Sequence, residues 1–543
     1  MSSLIFCITG LALVLAGIVF FRRRQPLFFL RGPIPASYLL GHEYELNQQA
    51  DVGNLEFAWA KEYGPTFRLS GCFSESVLMI ADPLGLQHIL QSPNYPKPRD
   101  IRLIAERVFG RGILWATGEA HQRHKRALNP AFSPQEIKHF VPQFQEATEQ
   151  LVHKWHEQLY HVDMVQLNMA EWIPKVTLDV IGRSAFDFNF GLLDDTAQYN
   201  NLYITMRDMF LDSTSPSAMT VLYAAVRRRF PERFGFKMYT TKEDRRLSSF
   251  LKAAQDAATT ILKRKTEAPN VSTHDDKDIL STLVRSAANG DPKKRLGEDE
   301  IVSGISTIIL AGNHTSASTF TFMLYELALH PDTQARVYRE IAGLRSRIEQ
   351  GTLLTSAHYD SMPYFVAVVK ETLRLHPILP TIIREASHDD SIPLSIALKD
   401  KTGRSMSHIP IFEGQRILIP FSVYNRLTQV WGEDAHVWNP DRFFTQKKDV
   451  NVGVYGNLAT FSGGVRSCLG WQFAILELQV MLFALLESFE FSLPPEGLDI
   501  QRIPSILMTP MIRGRLELGT QMPLYVRHRT RGLMKEKETD ILE

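Results

Sequence analysis

Residues 298 to 329 read as one uninterrupted helix, and this stretch constrains the fold more than any other. At helical rise it would run about 48 Å, longer than any helix of a short bundle. Apolar spacing in Thr177-Leu178-Asp179-Val180-Ile181 and from Leu280 to Ala287 extends a mostly helical reading over 135 to 330. Residues 55 to 92 mix helix and strand signals, with Ser76-Val77-Leu78-Met79-Ile80 a strand. Residues 264 to 278 and 389 to 410 are polar and broken, so loops or β excursions. The tail from Arg527 is charged and reads as frayed. No internal repeat interrupts this pattern, and the fold class is mainly α with small β sheets.

The chain has 543 residues, 44% of them hydrophobic, which is ample for a core. Length alone suggests about three or four domains. Sixty basic residues against 59 acidic argue against bulk nucleic-acid binding. The three cysteines, Cys7, Cys72 and Cys468, make a disulfide framework an unsuitable reading and suit a reducing compartment. Leu4 to Phe21 is uncharged and mostly apolar, and as a helix it spans about 27 Å, close to the hydrocarbon thickness of a bilayer. Arg22, Arg23 and Arg24 follow, with no cationic segment before and no clear cleavage site after. The expectation is a single-pass transmembrane signal anchor over 1–22, with the bulk of the chain cytosolic. Asn270-Val271-Ser272 and Asn313-His314-Thr315 match the glycosylation pattern and would go unmodified there. Three prolines and Gly32 between 26 and 35 make 23–40 a stiff hinge.

Cys468 lies in Phe461-Ser462-Gly463-Gly464-Val465-Arg466-Ser467-Cys468-Leu469-Gly470. A lone cysteine on a Gly-rich turn is ordinarily a buried, inert residue. The spacing F-x-x-G-x-R-x-C-x-G, however, resembles the haem-binding signature of the cytochrome P-450 family. Five fixed positions should coincide in a chain of this length with odds on the order of one in ten thousand, which favours the resemblance. It implies haem b (iron protoporphyrin IX), with the Cys468 thiolate as axial ligand pushing electron density onto iron. Phe461 would pack beside the sulfur, Arg466 would meet a propionate, and Gly464 and Gly470 would let backbone crowd the porphyrin.

The same resemblance places further residues. The helix 298–329 is similar to the long helix that crosses the family's domain over the haem. Within it, Gly312 would open a groove for oxygen and Thr315 would help protonate dioxygen, although small residues in a helix more often mark close packing. The residue before that Thr is commonly acidic in the family; here it is His314, which would replace the acid in the proton relay or else face away. Glu371-Thr372-Leu373-Arg374 has E-x-x-R spacing, which by itself is only a shared helix face. With Leu375-His376-Pro377 after it and Pro440-Asp441-Arg442-Phe443 downstream, it resembles the family's structural triad of Glu371, Arg374 and Arg442. Arg384 is expected on one propionate. His121 and Lys125, where many relatives have Trp and Arg, are expected on the other. Arg123, Lys125 and Arg126 offer a docking patch for an acidic redox partner.

The motifs run in the family's order from the anchor to about Tyr525. This implies one haem-thiolate catalytic domain, 41–527, with a polar tail at 528–543, and it overrides the length prior. The implied reaction inserts one atom of O2 into a lipophilic substrate and releases the other as water. No flavin or nicotinamide site is visible; Gly110-Arg111-Gly112 reaches Trp115 where a dinucleotide fingerprint needs Gly. Electrons are therefore expected from NADPH through a separate NADPH-cytochrome P-450 reductase in the endoplasmic reticulum membrane. Expected pocket linings are Ile101 to Trp115, Ile308 to Leu310, Leu379 to Ile383 and Ser505 to Met508. The chain looks most like fungal microsomal members, many of which hydroxylate terpenoid intermediates of secondary metabolism. The alternatives are fatty-acid or alkane hydroxylation, and a reductase-independent isomerase or dehydratase, against which Thr315 argues.

Overall fold

The computed structural model describes residues 27–194, 200–211, 216–229, 242–267, 278–287, 295–349, 351–445, 450–504 and 507–529. The expected anchor 1–22, hinge residues 23–26, the triplet at 270–272, Ser505 and the tail beyond 529 lie outside them.

The helices that matter for the site are α1 (Gly41–Gln48), α2 (Asn54–Tyr63), α3 (Gly118–Leu128), α4 (Val141–Gln158), α5 (Met169–Phe186), α6 (Glu298–Leu329), α7 (Pro331–Arg345), α8 (Pro363–Leu375) and α9 (Trp471–Ser488). The long helix is thus α6, with the expected bounds. Its first turn carries Glu298, Asp299 and Glu300, which suit the positive end of the helix dipole. The Glu300 carboxylate also reaches back to accept from Gly297 N at 2.9 Å. It stops at His330 because Pro331 follows. Residues on nearly every side of α6 are buried, the signature of a central core helix. It packs against α5, α7, α8 and α9, while α4 packs on α9. α9 is apolar enough in length and composition to cross a membrane, but most of it is buried in the protein.

Eleven strands, β1 (Thr66–Ser70), β2 (Ser76–Ile80), β3 (Met164–Asn168), β4 (Thr381–Glu385), β5 (Asp390–Lys399), β6 (Ser405–Ile411), β7 (Arg416–Pro420), β8 (Phe489–Ser492), β9 (Ile500–Ile503), β10 (Thr509–Ile512) and β11 (Pro523–His528), form four small sheets among the described residues. The largest has the order β1-β2-β7-β4, and β7 runs parallel to β2. A second has the order β3-β11-β8, and β5–β6 and β9–β10 are hairpins. Strands near residue 80 pair with strands near 418, and β3 pairs with the C-terminal β11. Sequence-distant segments are therefore interleaved, and one folding unit replaces the several suggested by length.

Three expectations change. The helix Lys242–Glu267 continues into the segment read as a loop from 264, because its apolar face stays on the core through Leu262. Arg527 and His528 belong to β11 rather than to a frayed tail, and Arg527 Nε donates to Glu490 at 2.6 Å. The described part of the hinge is docked on the body. Leu27 and Leu30 are buried and Arg68 N donates to Arg31 O at 3.0 Å. A Cβ on Gly32 would lie 2.0 Å from Arg68 O, so only glycine fits there.

α5 crosses α6 closely at Gly312. A Cβ on Gly312 would stand 2.7 Å from Ile181 Cδ1. Close packing therefore accounts for this glycine. Gly312→Val is expected to destabilise the fold by about 1–3 kcal/mol through overpacking. Adding Ile181→Ala should recover part of that loss in urea unfolding; strictly additive costs would contradict the packing account.

Candidate functional site

The cysteine loop is built from two tight turns. Ala459–Phe461 and Gly464–Arg466 form single 3-10 turns, and α9 starts one residue after Gly470. Cys468 N donates to Phe461 O at 2.8 Å, closing the loop. Gly464 has φ +60°, and a Cβ there would meet Leu90 O at 2.2 Å. The helix Pro83–Gln91 presses on the loop there and leaves no room for a larger residue. Gly470 has φ −89° and contributes its N–H to the Cys468 sulfur. Cys468 presents its surface to an internal space although it lies deep in the protein. That depth pushes the thiol pKa up to about 11, the Gly470 N–H working in the opposite direction. A thiol so placed is a poor nucleophile unless a metal ion takes its proton's place.

The triad forms as expected. Arg374 grips Glu371 bidentately, Nε to Oε2 at 2.7 Å and Nη2 to Oε1 at 2.8 Å. Arg442 Nε reaches Glu371 Oε1 at 3.0 Å, and Asn439 N donates to the same oxygen at 2.7 Å. All three side chains are buried. Arg374 Nη1 also donates to Asn425 O and Ala435 O, both at 2.6 Å, and Arg442 Nη1 to Trp431 O at 2.7 Å. The irregular segment 425–442 is thereby tied to α8. Asn425, fully buried, carries the link onward. Its Oδ1 accepts from Ala459 N at 2.9 Å and its Nδ2 donates to Thr460 Oγ1 at 2.9 Å. Thr460 Oγ1 in turn donates to Leu373 O on α8 at 2.7 Å. An unbroken chain of bonds thus runs from Glu371 to the residue before Phe461. Sequence reading missed Asn425 and Thr460, which no spacing marks.

Arg466 of the cysteine loop belongs to a cluster of cations. Arg466 Nη2 donates to Ala116 O at 2.9 Å, Arg102 Nε to Trp115 O at 3.2 Å, and Lys97 Nζ to Leu114 O at 3.0 Å. Three successive carbonyls hold three cations in place. Arg384 joins them from β4. Burial, then Arg384 and Arg466, pulls the Lys97 pKa down to about 7. Burial and Arg466 pull Arg384 to about 10, and burial and Arg102 pull Arg466 to about 10. His121 is pushed down to about 4 by burial and by Arg466, Lys125 and Lys97. Like charges held together at this depth call for an anion. Among the described residues no carboxylate bonds to Lys97, Arg384 or Arg466. A dianionic ligand such as the two propionates of haem fits this donor set. Lys97 was not anticipated; nothing in Pro96-Lys97-Pro98 signals it. Lys125 is turned to the cysteine loop, donating to Val465 O at 3.2 Å. Arg123 is engaged with Glu300 at 2.6 Å and with Arg295 O. Of the expected docking patch only Arg126 is exposed.

α6 supplies the opposite wall. Ala311 is exposed inside an otherwise buried run, and Thr315, one turn on, is half-buried. Thr315 Oγ1 donates to Ala311 O at 2.8 Å, leaving its lone pairs free. Burial pushes His314 down to about 4, so its ring is uncharged at neutral pH. Asn313 is fully buried with Nδ2 on Pro174 O at 2.7 Å, which itself precludes glycosylation. Of the expected pocket linings, Ile308 to Leu310 and Met508 are in the core. In β4, Ile382 shares a face with Arg384, whereas Thr381 and Ile383 point to the other side of the sheet.

The sequence profile of the cytochrome P-450 family matches residues 31–513. Cytochrome P-450 monooxygenase 128 from Postia placenta is 30% identical, over 93% of this chain and 94% of its own. Cytochrome P-450 monooxygenase claQ from Ampulloclitocybe clavipes is 30% identical over 92% of each.

Two measurements check the geometry. Glu371→Ala leaves two buried guanidiniums without their shared carboxylate and should cost about 3–5 kcal/mol; haem-loaded protein at wild-type yield would contradict this. On α9, Glu477 is fully buried and burial raises its carboxyl pKa to about 8, with Ser316 on α6 acting against the shift. A raised folded-state value means that the folded protein binds this proton more tightly than the unfolded chain does. Its contribution is greatest below about 4.5 and declines as pH rises to about 8. Glu477→Gln should therefore gain in melting temperature over wild type as pH is raised from 5 to 8; parallel curves would overturn the assignment.

Proposed function

The chain belongs to the cytochrome P-450 family, and on that premise we propose that it is a haem-thiolate monooxygenase of lipophilic small molecules. The single observation that carries this reading is a buried set of cations without a protein anion, one of them, Arg466, in the loop that presents Cys468. Cys468 would hold the iron, and Arg384, Arg466, Lys97 and His121 would hold the propionates. Haem bound there supplies electron transfer to dioxygen, which side chains do not offer. The balance is one substrate C–H, one O2, and NADPH plus a proton, giving an alcohol, water and NADP+. The protein's part is to keep water out, hold the substrate, and deliver protons.

Thr315 would serve that last task; its own proton is on Ala311 O, so its oxygen can still accept. His314, uncharged, passes a proton by taking one on one ring nitrogen as the other releases its own, rather than by standing charged. Electrons would come from a separate NADPH-dependent diflavin reductase. With Arg123 and Lys125 engaged inside the fold, Arg126 is the cation of α3 that offers a partner contact. The apolar segment 4–21 followed by three arginines supports a membrane-anchored enzyme on the cytosolic face of the endoplasmic reticulum. A terpenoid intermediate of secondary metabolism is the substrate class this reading favours, in line with the similarity to fungal monooxygenases, with fatty-acid or alkane hydroxylation as the alternative.

The test is NADPH consumption by purified enzyme with reductase, against a terpenoid and a fatty-acid panel. Substrate-dependent consumption matched by hydroxylated terpenoid supports the reading; turnover without reductase would point to an isomerase instead. Thr315→Val, which keeps shape without the hydroxyl, should divert most of the NADPH to hydrogen peroxide. His314→Ala should do so to a smaller degree; wild-type coupling in His314→Ala would remove that residue from the relay.

A further inference from the structure

Asn313 lies on the back of the α6 turn that carries Ala311 and Thr315, about 200° round the helix from each. It is fully buried, and its Nδ2 donates to Pro174 O of α5 at 2.7 Å. Its Oδ1 has no hydrogen-bond partner. An unmet buried acceptor is costly, so this side chain is a poor choice for packing alone, and the bond to α5 is what it contributes. Both helices are soft where that bond joins them. Pro174 sits inside α5 and leaves its turn one N–H short. Thr177 Oγ1 turns back there to Ile173 O at 3.1 Å and Pro174 O at 3.3 Å. On α6, Gly312 is a weak helix former. Thr315 Oγ1 and Thr319 Oγ1 each donate to the carbonyl four residues back, both at 2.8 Å, and hydroxyl back-bonds of this kind bend helices. The contact of Gly312 with Ile181 limits how closely the helices approach. The Asn313 bond is directional, so it also limits how far α6 can rotate.

We propose that Asn313 is a positioning residue for proton delivery, its amide fixing against α5 the rotation of the α6 turn that carries His314 and Thr315. The magnitude is sufficient. A side-chain oxygen about 4 Å from the helix axis moves by about 1 Å when the turn rotates by about 15°. A misplacement of that size costs about a hundred-fold in a reaction that depends on alignment. Asn313 is bonded to α5, so it acts through Thr315 rather than on the reacting atoms. The proposal rests on the monooxygenase reading and adds to it the residue that holds the relay in register.

The test compares wild type with Asn313→Leu, which keeps the approximate shape without the donor, as full-length haem-loaded enzyme. Met323→Ala, a fully buried α6 residue about two turns beyond Thr315, is the control for loss of stability alone. Two readouts are taken. Amide hydrogen exchange over 311–319 should be about ten-fold faster in Asn313→Leu and unchanged in Met323→Ala. The infrared C–O stretch of the reduced carbon monoxide complex reports the polar surroundings of the bound gas. In Asn313→Leu it should move towards its position in Thr315→Val, and adding Thr315→Val to Asn313→Leu should move it little further. The Soret position of the same complex reports separately on the haem reading, so a failure there is distinguishable. If Asn313→Leu does not fold, Asn313→Ala takes its place. Wild-type exchange over 311–319, a C–O band unmoved by loss of the Asn313 donor, or equal effects from Met323→Ala would overturn the proposal.

Discussion

The Glu371 carboxylate, buried between two guanidiniums and a backbone N–H, is the interaction on which the site depends. Two cations and one anion do not balance, and Asp434 completes the set by meeting Arg442 at 2.8 Å. A desolvated charge group of this kind gives little net stability when intact and is costly when broken. Its value is positional. The arginines spend their remaining N–H groups on five carbonyls of the 425–442 segment, none of which lies in a regular ladder. Asn425 transmits that fixed geometry to Ala459 and Thr460, and so to the loop that presents Cys468.

The cation cluster is arranged on the reverse logic. Lys97, Arg384 and Arg466 are brought together at a cost that no protein carboxylate offsets. The fold therefore carries an electrostatic debt until a polyanion binds. Binding of such a ligand relieves repulsion that exists only in the folded state, which couples occupancy to stability by mass action. The same repulsion lowers the cost of donating from His121, already neutral, to a carboxylate. A thiol and a cluster of unpaired cations on and beside one loop define a ligand more narrowly than either feature alone.

Much of this was legible in the chain. The long helix, the strand Ser76–Ile80, the E-x-x-R pair and the cysteine loop are local patterns, with their physics contained within a few residues of spacing. What escaped is non-local. Asn425, Lys97 and Glu477 matter because of carbonyls, cations or a serine that sit far away in sequence. Both glycines also meet distant neighbours: Leu90 presses on Gly464, and Ile181 crosses Gly312, where close packing is the ordinary reading of a small residue in a helix. The basic run on α3 reads as a propionate grip at His121 and Lys125 and a docking patch at Arg123, Lys125 and Arg126. In the fold Glu300 and Val465 take two of its charges inward. The C-terminal boundary shifted for a similar reason, since a charged β11 edge is held by pairing with β3 and β8 rather than by its own composition.

The central claim is that Cys468, as thiolate, is the protein ligand of a haem iron. The direct measurement is the absorption spectrum of the dithionite-reduced, haem-loaded protein under carbon monoxide, for wild type and Cys468→Ser. The wild type should show the far-red Soret displacement of sulfur ligation, and the serine variant should lack it. A wild-type spectrum without that displacement, or one that survives the substitution, would contradict the account.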